Sequence, residues 1–170
     1  ARAHITIADE ETMYQVTEGL ALRGTFAQLP LTEAGDAPRA VVRAEDGTRY
    51  AITGPLQSIL AIPFFLIGHS IAPLFPPPFY GYLTRFFVLL FNAPIQAATA
   101  AILYLWALDT GYRRRTSLFV ALAFGLGTIA WPYARTFFAE TLLTFWLVLS
   151  TWSLYRYVQT ESWPWMAFAG

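Results

Sequence analysis

The chain has no cysteine and no lysine, and its only histidines are His4 and His69. Without thiols there can be no disulfide, no thiolate metal site and no cysteine nucleophile. Two histidines cannot build a multi-histidine metal cluster. Charge is scarce as well: 13% of the 170 residues are charged, about half the share in a soluble domain. The formal net charge is zero and all eleven basic residues are arginine, so nothing marks nucleic acid as a partner. The chain opens on Ala1 with no basic n-region and apolar h-region of the secretory kind. It closes on Trp163 to Gly170, which reads as the start of a further apolar span. These ends suggest a piece of a longer membrane protein.

What is present is apolar: 56% of residues are hydrophobic and 17% aromatic. The acids gather at one end. Residues 1–50 hold eight acids and five arginines, and beyond Tyr50 only Asp109, Glu140 and Glu161 are acidic. The composition therefore predicts an all-α integral membrane protein, a multi-span helical bundle with an interfacial amphipathic helix and an extracytoplasmic acidic loop. Residues 1–54 form that loop, 55–78 a proline-broken membrane segment, and 79–170 the transmembrane helices.

Within the loop, Met13, Val16 and Leu20 fall at i, i+3 and i+7, the apolar stripe of a helix from Glu11 to Leu22. Glu10, Tyr14 and Glu18 share a second face. Thr6 to Asp9 fits a capping box, Asp9 suits the positive end of the helix dipole, and Gly24 is a stop. The helix is expected to lie along a membrane interface. Pro30 to Pro38 is loop. Glu45-Asp46-Gly47, flanked by Val41–Ala44 and Thr48–Ile52, predicts a small hairpin.

Pro55 to Phe75 is long enough to span but is interrupted by Pro55, Pro63 and Pro73, with His69 inside it. It reads equally as a broken or re-entrant segment. Spans are expected at about 86–108, 116–134 and 136–157. Gly125 and Gly127 would allow close helix approach, and Trp131 and Tyr133 an aromatic belt. The arginines in Gly111 to Arg115 place that turn in the cytoplasm by the positive-inside rule. If Pro55 to Phe75 is re-entrant, residues 1–50 fall on the opposite face with Arg85, Arg135 and Glu140; if it spans fully, the acidic loop is cytoplasmic. The first arrangement is favoured.

In that arrangement Asp9, Glu10, Arg85, Arg135 and Glu140 share one membrane face. A carboxylate can take a proton from an attacking hydroxyl, and guanidiniums match phosphate oxygens. A divalent metal held by carboxylates, with Glu10 and Glu140 as candidates, could serve the same end. Each residue has a plainer role too. Asp9 could cap its helix, Glu10 and Glu11 could be solvated first-turn acids, and Arg85 could anchor at the interface. Arg135 and Glu140 could pair across a hairpin. A carboxylate inside the span 136–155 is costly unless used or paired. Gly125-Leu126-Gly127 is helix packing, since no strand precedes it.

Asp9-Glu10, with Tyr14 and the stretch Glu18 to Gly24, resembles the first external loop of polyprenyl-phosphate-dependent glycosyltransferases of the GT-C fold. These are related to protein mannosyltransferases and aminoarabinose transferases. Gly125 to Glu140 resembles the second external connection of the bacterial enzymes, where a Tyr-x-Arg/Lys element precedes an acid opening the next span. The resemblance covers about Ile7 to Tyr157. It implies Asp9 as general base, Glu10 as support for the site or a metal, and Arg135 and Glu140 as holders of the lipid phosphate, directly or through a metal; Arg85 joins the donor-binding candidates. It further implies membrane lipid and a polyprenyl-phosphate sugar as partners, and a multi-pass location in the bacterial inner membrane with the acidic loop outside. The chain departs from the pattern in lacking the preceding span and the lysine many relatives carry near Arg49 to Pro55. The alternative is a non-catalytic accessory transmembrane subunit of a larger membrane complex.

Overall fold

The computed structural model describes residues 8–28 and 41–169. His4, the Thr6 half of the capping box and the Pro30–Pro38 loop lie outside them. Among the described residues the chain is mostly helical, at 74%. It divides into two compact units, residues 1–91 with 136–138, and residues 92–135 with 139–170.

The first unit opens with α1 (Ala8–Arg23). Three acids occupy its first turn and Arg23 its last, matching both ends of the helix dipole. Gly24, at φ +66°, ends it, and its N–H returns to the Leu20 carbonyl at 3.1 Å. Only glycine takes this left-handed cap without strain.

A three-stranded antiparallel sheet follows in the order β1 (Ala27–Gln28), β3 (Arg49–Ala51), β2 (Val41–Arg43). The β2–β3 hairpin is the predicted one. Gly47 turns it at φ +83°, and the Thr48 N–H donates to Asp46 Oδ1 at 2.9 Å. The strand β1, pairing Ala27 with Tyr50, was not predicted.

Pro55 to Phe75 is broken, as its prolines require. It forms α2 (Leu56–Leu60), α3 (Ile62–Ile71) and a short 3₁₀ turn (Ala72–Leu74). A second 3₁₀ turn (Pro77–Phe79) leads into α4 (Tyr80–Leu89). The helices α3 and α4 approach closely at Gly68, where an added Cβ would meet the Leu83 carbonyl oxygen and Thr84 Cα at 3.0 Å.

The core of this unit gathers Met13, Tyr14, Phe65, Val88, Phe91 and Phe137, all under 5% exposed. Phe91 and Phe137 meet edge to face at 6.2 Å. The helix α1 is embedded in this core. Glu10, Thr12, Met13, Tyr14, Val16 and Thr17 are all buried, a face wider than the predicted stripe. Leu20 is only half-buried. Glu10 and Tyr14, expected to share a second face beside the apolar stripe, are both buried. Two buried hydroxyls of this unit share one acceptor: Thr17 and Ser58 both donate to the Met13 carbonyl at 3.0 Å.

The second unit comprises α5 (Asn92–Asp109), α6 (Arg114–Gly127), α7 (Ala130–Tyr133), α8 (Glu140–Thr160) and α9 (Trp163–Ala169). The helix α5 packs on α6 and α8 through the buried Thr99, Ile102, Ser117 and Ala121. Asp109 ties α5 to α8, accepting from Trp152 Nε1 at 2.9 Å and Arg156 Nη1 at 3.0 Å.

Two expected spans differ from what forms. The run 86–108 is interrupted by a turn at Leu90–Phe91, where the boundary between units falls. The helix α6 stops at Gly127, with Thr128 extended; its 14 residues reach about 21 Å, short of a bilayer core of about 30 Å. The helix α8 has the length, but Thr141, Thr144, Ser150, Thr151, Ser153 and Arg156 dilute it. Pro77–Asp109 is the one stretch among the described residues long and apolar enough to cross a membrane. The glycines of α6 are not a close-packing seam either: a Cβ on Gly125 would meet Ala100 at an ordinary 3.9 Å, and one on Gly127 would meet nothing.

Candidate functional site

The start of α1 separates three adjacent carboxylates by helical geometry. Successive residues are rotated by about 100°, so Asp9, Glu10 and Glu11 face three ways. Asp9 is exposed. Glu10 is 4% exposed, and its Oε1 accepts the Phe137 backbone N–H at 3.0 Å. Burial raises the Glu10 carboxyl above its ordinary value, and the Phe137 N–H opposes that shift only in part.

Glu11 takes the third direction and meets Arg85 of α4. Arg85 Nη2 donates to Glu11 Oε1 at 2.8 Å, and Nε to Oε2 at 3.3 Å. The guanidinium lies over the Tyr14 ring, 4.5 Å from its centroid. Below it the Tyr14 hydroxyl and Thr84 Oγ1 sit 2.7 Å apart. Burial pushes the Tyr14 phenol up to about 12. Beside this network lies a cavity of about 230 Å³, whose lining includes Tyr14, Glu18, His69, Tyr80 and Arg85. His69 is exposed and stacks on Phe65, centroids 5.8 Å apart.

In the second unit, Arg135 is exposed and lies over Trp131 at 4.7 Å. Glu140 is exposed in the first turn of α8. It lines a cavity of about 360 Å³ with Gln96, Phe124, Tyr133, Thr141 and Thr144. The ion pairs among the described residues are Arg85–Glu11 and Arg156–Asp109, so Arg135 and Glu140 do not close the hairpin as a salt bridge.

Of the five candidates, Asp9, Glu10 and Arg85 thus belong to the first unit, and Arg135 and Glu140 to the second. Glu11, Tyr14 and Thr84 carry more of the local network than the sequence indicated. The available signal was the three-residue spacing of Glu11 and Tyr14, which places both beside one incoming side chain.

A divalent cation is poorly served at Glu10. One carboxylate oxygen is taken by an N–H, and burial favours the protonated form, which binds cations weakly. Among the described residues no group of three or more histidines and acids gathers to hold a metal.

No family model matches the chain, and comparison with curated proteins and with solved structures gives no match.

Proposed function

We propose that the protein is a membrane glycosyltransferase, moving a sugar from a polyprenyl-phosphate donor to an acceptor hydroxyl outside the cytoplasmic membrane by a single inverting displacement. The acceptor oxygen attacks the anomeric carbon. The bond from that carbon to the phosphate oxygen breaks, and polyprenyl phosphate leaves with the electron pair. Asp9 receives the acceptor proton.

The observation that carries this reading is the hydrogen bond from Phe137 to Glu10. The two stretches that resemble the transferases are far apart in sequence, and Phe137 of the second bonds Glu10 of the first. Glu10 is thereby fixed, while Asp9, its neighbour, stays exposed for chemistry. One observation favours the accessory-subunit reading: the Arg85 guanidinium, a donor-phosphate candidate, is already occupied by Glu11.

Sidedness tests the reading. A single Asp9→Cys substitution in the full natural chain, probed on intact cells with an impermeant thiol reagent, should label from outside. Labelling only after permeabilisation would place the acidic pair in the cytoplasm and overturn the transferase.

A further inference from the structure

We propose that Arg114 and Arg115, with the apolar stripe that continues from them along α6, form a binding site for an anionic phospholipid. The inference is independent of the transferase reading.

The turn between α5 and α6 reverses at Gly111, at φ +90°, and delivers Arg113 as the N-cap of α6 with Arg114 and Arg115 as its first residues. All three are exposed. The helix α6 contains no acid. The nearest acid in the chain, Asp109, is engaged by Arg156 and Trp152. Among the described residues neither Arg114 nor Arg115 forms an ion pair. Among the described residues their charge is uncompensated, and the helix dipole adds to it, because no side chain caps the N-terminus of α6.

Arg114 and Arg115 line a mostly apolar cavity of about 260 Å³ with Tyr104 and Leu118. A phosphate group suits such paired cations, since guanidinium binds its oxygens bidentately. What selects a lipid over a free anion lies further along the same face. Leu118, Phe119, Leu122 and Leu126 follow Arg115 at i+3, i+4, i+7 and i+11, and all are exposed, Phe119 at 72%. This stripe extends for about 12 Å from Leu118 to Leu126. Charge at the top and an unbroken apolar run below match a phosphate headgroup with an acyl chain. A zwitterionic headgroup would bring its own ammonium against two arginines.

The test uses the whole protein in neutral detergent, with binding followed by native mass spectrometry. The probes are dioctanoyl phosphatidylglycerol, dioctanoyl phosphatidylcholine and inorganic phosphate. Phosphatidylglycerol should bind, with the other two weaker by about tenfold or more. The double variant Arg114→Gln, Arg115→Gln should weaken phosphatidylglycerol by about tenfold or more, with the helical circular dichroism of the protein retained. Leu122→Ser should weaken the lipid and leave phosphate unaffected. Equal binding of phosphatidylcholine would reduce the site to an apolar surface, and equal binding of phosphate would reduce it to a simple anion site. Either result, or an indifferent double variant, overturns the proposal.

Discussion

The buried carboxylate of Glu10 accepts the backbone N–H of Phe137 at 3.0 Å, a contact between residues 127 apart in the chain. It satisfies a main-chain donor inside the core with a group whose charge the same core disfavours. Two consequences can be separated by substitution. Glu10→Ala strands a buried N–H and should cost about 1–3 kcal/mol of unfolding free energy. Glu10→Gln keeps an acceptor oxygen and discards the charge.

The pH dependence follows from the raised Glu10 carboxyl. The folded state holds the proton more tightly than the unfolded chain. Its contribution to stability is complete below the ordinary value of 4.5 and is lost as the pH rises through the folded-state value. Chemical unfolding followed between pH 4 and 8 should therefore show stability falling with pH in the wild type, with that part of the slope missing in Glu10→Gln. An identical slope in both would assign it to other groups.

The pairing of Glu11 with Arg85 is bidentate, and each side chain is 29% exposed. A double-mutant cycle with Glu11→Ala and Arg85→Ala should give a coupling of about 1 kcal/mol, reduced by added salt. A coupling near zero would make the contact incidental. Arg85→Lys should not restore it, because an ammonium cannot reproduce the planar fork or its stacking on Tyr14.

Gly68 sets the distance between α3 and α4. Gly68→Ala puts a methyl group within 3.0 Å of backbone atoms of Leu83 and Thr84. The main chain must move, and the cost should be about 1–3 kcal/mol in unfolding measurements. Gly127→Ala is the control. Its added carbon meets nothing, so at this last residue of α6 the change should stay within about 0.5 kcal/mol.

Local chemistry made part of this fold legible. Gly24 and Gly47 end and turn their elements where backbone sterics demand, and Pro55, Pro63 and Pro73 break the segment they occupy. The turn at Leu90–Phe91 was hidden because its residues are as apolar as their neighbours. Asn92 and Pro94 stand in the first turn of α5, a helix-start signal that the apolar run around them masks. Gly127, read as a packing residue, is the last residue of α6, and Thr128 after it is extended. Within the site, the exposure of Asp9 and the burial of Glu10 were not legible: two adjacent acids look alike until tertiary structure decides which one faces the core. The role of Glu11 depended on Arg85, and no local pattern specifies a partner on a distant helix.

The central claim is transfer from a lipid-linked sugar with Asp9 as base. The direct measurement is the rate of sugar release from a polyprenyl-phosphate donor to acceptor by membranes carrying the full natural chain, compared with Asp9→Asn and Glu10→Gln. The account predicts measurable transfer by the natural chain. It predicts a loss of about a hundredfold or more for Asp9→Asn, the scale of removing a general base, and a smaller loss for Glu10→Gln, which preserves the hydrogen bond to Phe137. Transfer that survives Asp9→Asn unchanged, or a natural chain that transfers nothing, would contradict it.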